Sequence, residues 1–424
     1  MTLLDEIVSR TNLNNAYLQV YRNKGAAGVD GVTINELNAY LKENREKLIQ
    51  QIRGRKYKPQ PVKRVEIPKD NGKMRQLGIP TVVDRVIQQA IAQVLTPIYE
   101  KQFSDNSYGF RPGRSCEMAI TKSLEIINDG YSWVVDIDLE RFFDTVNHDR
   151  LMNIIFKTIK DGDIMSLISK FLKSGIMVQG KYQESTVGTP QGGNLSPLLS
   201  NVMLNELDKE LEKRGLRFVR YADDCNIYVG SEKAANRVME SITTFIEKKL
   251  GLIVNITKSK VRRPRDIKFL GFGYYYDSKN SKYQVKPHEI SLKKFIRKLK
   301  QLTKRRWSID LEYRLLKIRQ LITGWVNYFR ISKMKTAMRR VDQKLRARIS
   351  VIIWKQWKIC SKQIKSLVQL GIDKEEAKGL TYCRKGYQFI GHSYIVQRAI
   401  NNLRLKRRGL TSALDHYLKV HTVI

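Results

Sequence analysis

Two acidic segments hold residue types that could do chemistry. In Trp133-Val-Val-Asp-Ile-Asp-Leu139, strand alternation puts Trp133, Val135, Ile137 and Leu139 on one face and Asp136 and Asp138 on the other. In Arg220-Tyr-Ala-Asp-Asp-Cys225, flanked by apolar runs, an Ala-Asp turn would project Asp223 and Asp224 at a hairpin tip. On adjacent strands these segments would bring three carboxylates together. Hard oxygen donors gathered at one point suit magnesium, with water and phosphate oxygens completing the octahedra. Two such ions about 3.5–4 Å apart activate an attacking hydroxyl and stabilise the leaving oxygen of an in-line phosphoryl displacement. An Asp-Asp pair alone is common in surface turns. The specific signal is the strand–turn–strand pattern about 85 residues after a strand ending in Asp.

Positioning these carboxylates requires strands and helices in the first two thirds of the chain. The pattern predicts strands over 62–68, 133–139, 218–221 with 226–229, and 274–276 with 283–286. Helices are expected over 81–99 and 149–159, from Leu198 and Ala234 onward, and as one amphipathic helix over 1–23. All ten prolines fall between Pro59 and Pro287, so the last third should be mostly helical. Leu311, Leu315, Ile318, Ile322 and Trp325 share one helical face there, as do Leu292, Ile296 and Leu299 just before.

The chain carries 78 Lys+Arg against 41 Asp+Glu, a formal net charge of +37, so a polyanion is its natural partner. Residues 293–365 alone contain 23 cationic and 3 acidic residues. Trp307, Tyr313, Trp325, Tyr328, Phe329, Trp354 and Trp357 are interleaved with them, as in nucleic-acid-binding faces. No apolar run is long enough to span a bilayer, and no membrane partner is expected. Cys116, Cys225, Cys360 and Cys383 form no C-x-x-C pair and the histidines show no ligand spacing to them. Neither a disulfide framework nor a zinc site is expected, and a reducing cytoplasm is the expected location.

The two acidic segments and several others resemble the reverse transcriptases encoded by bacterial group II introns, specifically the compact subclass without an endonuclease. Tyr221-Ala-Asp-Asp224 resembles the family's catalytic turn and Asp138-Leu-Glu-Arg-Phe-Phe-Asp144 its first catalytic block. Ser107-Tyr-Gly-Phe-Arg-Pro-Gly-Arg114, Gly188-Thr-Pro-Gln-Gly-Gly193, Asn255-Ile-Thr-Lys-Ser-Lys260 and Phe269-Leu-Gly-Phe272 follow in the family's order. Gly324-Trp-Val-Asn-Tyr-Phe329 resembles the maturase region of the thumb. Residues after about Ser361 lack the His- and Cys-containing module of endonuclease-bearing relatives, so no nuclease activity is expected.

The resemblance implies an α+β right-hand polymerase. It would comprise an N-terminal extension (1–60), fingers and an antiparallel-sheet palm (61–286), a helical thumb (287–360) and a small basic DNA-binding region (361–424). Asp138, Asp223 and Asp224 would be the ligands of two Mg2+ ions, with the Leu139 carbonyl a further oxygen and Asp136 a supporting carboxylate. Phe143 would lie under the incoming sugar, where a flat ring leaves no room for a 2′-hydroxyl. Gln191 would lie against the nascent pair, and Lys69 and Arg75, flanking a hairpin turn at Asp70-Asn-Gly72, would meet the triphosphate. Arg111 and Arg114 would contact the template backbone, and Lys258 would neutralise phosphate or protonate pyrophosphate. Lys300, Lys304 and Arg305 would lie along the template–primer duplex.

The implied function is RNA-directed DNA polymerisation from dNTPs on template RNA and primer DNA. Binding of a host intron RNA, to assist splicing, and of target DNA, for mobility, would accompany it. The alternative is an RNA-binding maturase without polymerase activity, although degenerate relatives lose a catalytic carboxylate and all three are present here. An RNA-dependent RNA polymerase would need a polar group for the 2′-hydroxyl where Phe143 stands. A retron-type or diversity-generating enzyme would not be expected to carry the Gly324–Phe329 motif and a basic tail.

Overall fold

The computed structural model describes residues 2–68, 72, 74–185, 187–189 and 192–422, and the chain divides into two units, 1–263 and 264–424.

The first unit opens with two helices, Leu3–Ile7 and Arg10–Asn23, where one was expected. The break has a local cause. Ser9 adopts an extended backbone and its Oγ accepts from the Asn12 N–H at 3.3 Å, which starts a new helix. Next come the helix Leu37–Arg53 and the antiparallel hairpin Val62–Pro68 with Met74–Ile79, in register from Lys63↔Ile79 to Pro68↔Met74. Gly72, in the turn, has φ 79°, which only glycine adopts without strain. Lys69 and Gln191 lie outside the described residues. Two short strands, Ile176–Val178 and Lys181–Gln183, extend this hairpin to four strands; neither was expected from the sequence.

The helix Val82–Glu100 runs through the core, with Val83, Ile87, Ala90, Ile91, Val94 and Leu95 buried. Thr81 Oγ1 caps its first turn. The buried Asp84 carboxylate accepts from Tyr57 Oη at 2.6 Å and Thr81 Oγ1 at 2.7 Å, which offsets its loss of water.

A second four-stranded sheet is antiparallel throughout. Its order is Arg217–Tyr221, Asp224–Val229, Trp133–Ile137, Lys260–Arg262. One face, with Val135, Ile137, Phe218, Cys225, Ile227 and Val229, joins the main core. On the other face Val134 and Tyr228 are also buried, and Tyr228 Oη donates to Ser123 Oγ of the helix Cys116–Asn128 at 2.6 Å. At one end of the sheet Asp138 is half-buried and Asp224 exposed.

The second unit contains a hairpin, Phe272–Asp277 with Lys282–Pro287, and is otherwise helical, as the proline distribution implies. Among the described residues three long helices, Glu289–Leu302, Leu311–Tyr328 and Lys335–Gln356, precede six shorter ones. Leu315, Ile318, Ile322 and Val326 bury one face of the second long helix. Trp325 stacks on Phe295 with ring centroids 4.4 Å apart, and Phe329 packs on Phe272 at 4.7 Å. The Gly324–Phe329 motif is therefore a joint between helix and hairpin inside this unit. Among the described residues no helix is long and apolar enough to cross a membrane.

Candidate active site

The two acidic segments meet on one sheet. Asp136 is in register with Asn226 and Ile137 with Cys225, while Tyr221 pairs with Asp224 across a two-residue turn formed by Ala222 and Asp223. Period-2 alternation puts Asp136, Asp138 and Asp224 on the same face, with Asp223 at the tip. Asp138 lies just past its strand, and the segment 255–259 brackets its backbone. The Asn255 N–H donates to the Asp138 carbonyl at 2.8 Å, and the Asp138 N–H donates to Ser259 Oγ at 3.0 Å. Leu139 opposes Val254 as an antiparallel bridge flanked by the bonds of Asp138 and Glu140, so its own carbonyl points away from that strand.

The acidic groups feel one another. Asp224 keeps solvent contact at the rim, yet desolvation by surrounding protein, followed by Asp223, Asp136 and Asp138, pushes its pKa up to about 7. Desolvation and then Asp138 raise Asp136 to about 6 against the opposing effect of Arg262. Asp223 is raised by desolvation and Asp138, and Arg75 offsets part of this, so the hairpin Val62–Pro68 with Met74–Ile79 brings positive charge within reach of the turn. Lys258 is paired with Asp138, its Nζ 3.0 Å from Oδ1 and 3.4 Å from Oδ2. Among the described residues no three His, Cys, Asp or Glu side chains are gathered tightly enough to hold one metal ion. The carboxylates share one sheet face, and Lys258 is paired with Asp138 at its edge. The donor chemistry still suits a hard divalent ion, because clustered carboxylates that raise each other's proton affinity favour any cation among them.

The turn is held from behind. Ala222 has φ 57°, a left-handed conformation that costs a non-glycine residue about 1 kcal/mol or more unless its surroundings impose it. Arg220, in phase with Phe218 on the core face, is fully buried and donates to the Ala222 carbonyl at 2.9 Å and Asn201 Oδ1 at 3.0 Å. Its charge is met by Asp208, at 2.7 and 2.5 Å. Gly109 packs on the same turn: a Cβ there would lie 2.2 Å from the Ala222 nitrogen. The Tyr108 N–H donates to the Arg220 carbonyl and the Arg220 N–H to the Asn106 carbonyl, both at 2.9 Å. The 107–114 motif therefore braces the acidic turn.

This corrects the reading of Arg111 as a template contact. Arg111 is buried, its Nε and Nη2 engage Glu100 at 2.9–3.1 Å, and its Nη1 donates to the carbonyls of Ser104 and Ser107 at 2.5 and 2.9 Å. Four of its five N–H groups are engaged inside the protein and the side chain is only 3% exposed, which leaves little of it for phosphate. Arg114 is nearer the surface, over the Tyr108 ring and bonded to Asp105 at 2.6 Å.

Phe142 and Phe143 divide their roles. Phe142 is core, whereas half-buried Phe143 meets it edge-on at 5.2 Å and lines a small cavity with Arg64, Gln76, Gly78 and Thr189. Gly188, at φ 90°, passes so close to the Phe143 carbonyl that a Cβ would approach to 2.9 Å, and the Thr189 N–H donates to that carbonyl at 2.6 Å. Lys300, Lys304 and Arg305 are exposed on the second unit. Sequence reasoning assigned no role to Arg220, Asp208, Gly109 or Ser259. For Arg220 a signal existed, since alternation puts it on the face of Phe218.

Residues 67–274 match the reverse transcriptase (RNA-dependent DNA polymerase) family, and residues 292–368 match the maturase-specific domain of group II introns. Protein YkfC of Escherichia coli is 36% identical over 301 residues, 62% of this chain and 79% of that protein. The group II intron-encoded protein LtrA of Lactococcus lactis is 43% identical over 206 residues, 48% of this chain and 34% of LtrA. The putative COX1/OXI3 intron 2 protein of Saccharomyces cerevisiae is 30% identical over 337 residues, 65% of this chain and 38% of that protein. The chain thus spans most of YkfC but little more than a third of the other two. With both domains matched in order and an acidic turn on the sheet within the first, the chain belongs to the group II intron-encoded reverse transcriptases, RNA-directed DNA polymerases that carry a maturase domain.

Proposed function

We propose that this chain extends a DNA primer along an RNA template by two-metal phosphoryl transfer of deoxynucleotides. The regions 61–286, 287–360 and 361–424 would act as fingers and palm, thumb, and DNA-binding region, behind an N-terminal extension (1–60). Residues beyond the palm would also hold the host intron RNA and the target DNA. The observation that supports this best is the shared sheet face of Asp136, Asp138 and Asp224, with Asp223 at the turn. Asp138, Asp223, Asp224 and the Leu139 carbonyl would hold two Mg2+ ions, which when bound lower the pKa of the attacking hydroxyl and neutralise charge on the reacting phosphate. Asp136 supports Asp138 from the same strand. Arg75, on the fingers hairpin, and Lys258 supply positive charge for the triphosphate and departing pyrophosphate; Lys69 is assigned to the triphosphate and Gln191 to the nascent base pair. Phe143 offers its ring to the sugar.

Asp223→Asn and Asp138→Asn test the assignment, because a neutral amide cannot replace an anionic ligand. Primer extension should fall by several orders of magnitude while template binding persists. Retention of more than about a tenth of the wild-type rate in either variant would show that the ligands are elsewhere. Wild-type protein that binds intron RNA but never extends a primer would favour the RNA-binding maturase alternative.

A further inference from the structure

The helices Glu289–Leu302, Lys335–Gln356 and Tyr387–His392 enclose a cavity of about 800 Å³ within the second unit. Its floor is apolar: Leu299, Val341, Leu345 and Ala347 are buried. Its rim is cationic and exposed, with Lys300, Lys304, Arg306 and Lys344, and among the described residues no carboxylate lines it. The walls are built. Arg348 donates to Thr303 Oγ1 at 2.5 Å and to the carbonyls of Lys300 and Thr303 at 3.1 Å, closing one corner. Gly391 lies so near the floor helix that a Cβ would come within 2.6 Å of Val351 and 2.9 Å of the Ala347 carbonyl. On the opposite rim Tyr387, 38% exposed, holds its ring 4.5 Å from the Arg305 guanidinium carbon.

A duplex backbone presents phosphates to a surface and gives no apolar group to a concave floor. An unpaired nucleotide supplies both: a base with two apolar faces, and phosphates on either side. The cavity lies in the size range of pockets that enclose small organic groups. A ring stacked with a guanidinium is the platform on which single-stranded bases rest. We propose that this cavity receives one unpaired nucleotide of a nucleic-acid strand. Its base lies between the apolar floor and Tyr387, and its flanking phosphates lie on Lys300, Lys304 and Lys344. The inference rests on the reading of this unit as nucleic-acid-binding and narrows it to a structural feature of the strand. The source of that nucleotide is either a bulged RNA helix or an unpaired DNA strand.

The test uses the full chain and three labelled probes in RNA and DNA versions: a perfect duplex, the same duplex with one unpaired adenosine, and that bulge with an abasic residue. Wild-type protein should bind the adenosine bulge about tenfold more tightly than either control, the size expected for one stacked base. The polymer that shows the larger preference identifies the source. Tyr387→Ala, at an exposed position that should fold normally, and Ala347→Phe, which fills the floor, should each abolish the preference. Neither removes a charge, so duplex affinity and its salt dependence should stay at wild-type values, as should single-nucleotide incorporation at saturating enzyme. Equal wild-type affinity for all three probes would overturn the proposal, as would a preference that survives both variants or a weakening of every probe alike. Failure of the broader reading would look different: wild-type protein would bind no probe in a salt-dependent way.

Discussion

Arg220 and Asp208 form an ion pair 2.5 Å long in which neither side chain retains any exposure to solvent. Through it the acidic turn is tied to the helix Ser196–Lys213, because the same guanidinium also holds the Ala222 carbonyl. A buried pair of this kind is poor evidence for stability by itself, since desolvation offsets much of the attraction. Its loss on one side is another matter. Asp208→Asn leaves a buried guanidinium uncompensated and should lower unfolding free energy by about 3–5 kcal/mol. Denaturant titration followed by far-UV circular dichroism would read this, and a loss under about 1 kcal/mol would show that water reaches the pair.

Gly109 offers a test of the brace that leaves every charge in place. A methyl group at this position meets the Ala222 nitrogen at 2.2 Å, so Gly109→Ala must displace the turn that carries Asp223. A displacement near 1 Å at reacting groups costs about a hundredfold in rate. Turnover should fall by that order with template–primer affinity little changed. Turnover within threefold of wild type would mean that the turn does not set the position of Asp223.

Phe143 is half-buried and packs edge-on against the core Phe142, with part of its ring left to line the small cavity beside Gly188. Phe143→Val should raise the ratio of ribonucleotide to deoxynucleotide incorporation about tenfold or more by opening space at C2′. An unchanged ratio in competitive extension assays would return Phe143 to a packing role.

Lys258 competes with any cation that approaches Asp138, since its ammonium is 3.0 Å from the carboxylate. The lysine is largely exposed, and exposed pairs of this type are worth about 1 kcal/mol or less. Lys258→Met should therefore tighten Mn2+ binding to the free protein by up to about fivefold, measured by electron paramagnetic resonance without substrate. Weaker binding in the variant would mean that Lys258 helps assemble the site.

The strands that carry Asp138, Asp223 and Asp224 were legible because their signals are local: alternation over five to seven residues, an acidic turn, and apolar flanks. The same holds for the hairpin from Val62 to Ile79, whose turn contains Gly72, and for the helices of the last third, whose pattern no proline interrupts. What alternation cannot report is whom a charged side chain meets. Arg111 and Arg220 read alike in a basic chain, yet Glu100 and Asp208, brought to them by folding, neutralise both inside the protein. The need for glycine at 109 comes from Ala222, which the fold brings against it from more than a hundred positions away. The sheet order and the pairing of Lys258 with Asp138 are likewise relations between distant segments. The sequence by itself determined which atoms were available for catalysis, because residue type and strand period are written locally. Only the tertiary structure decided which charges remain free to act, because desolvation and ion pairing depend on neighbours distant in the chain.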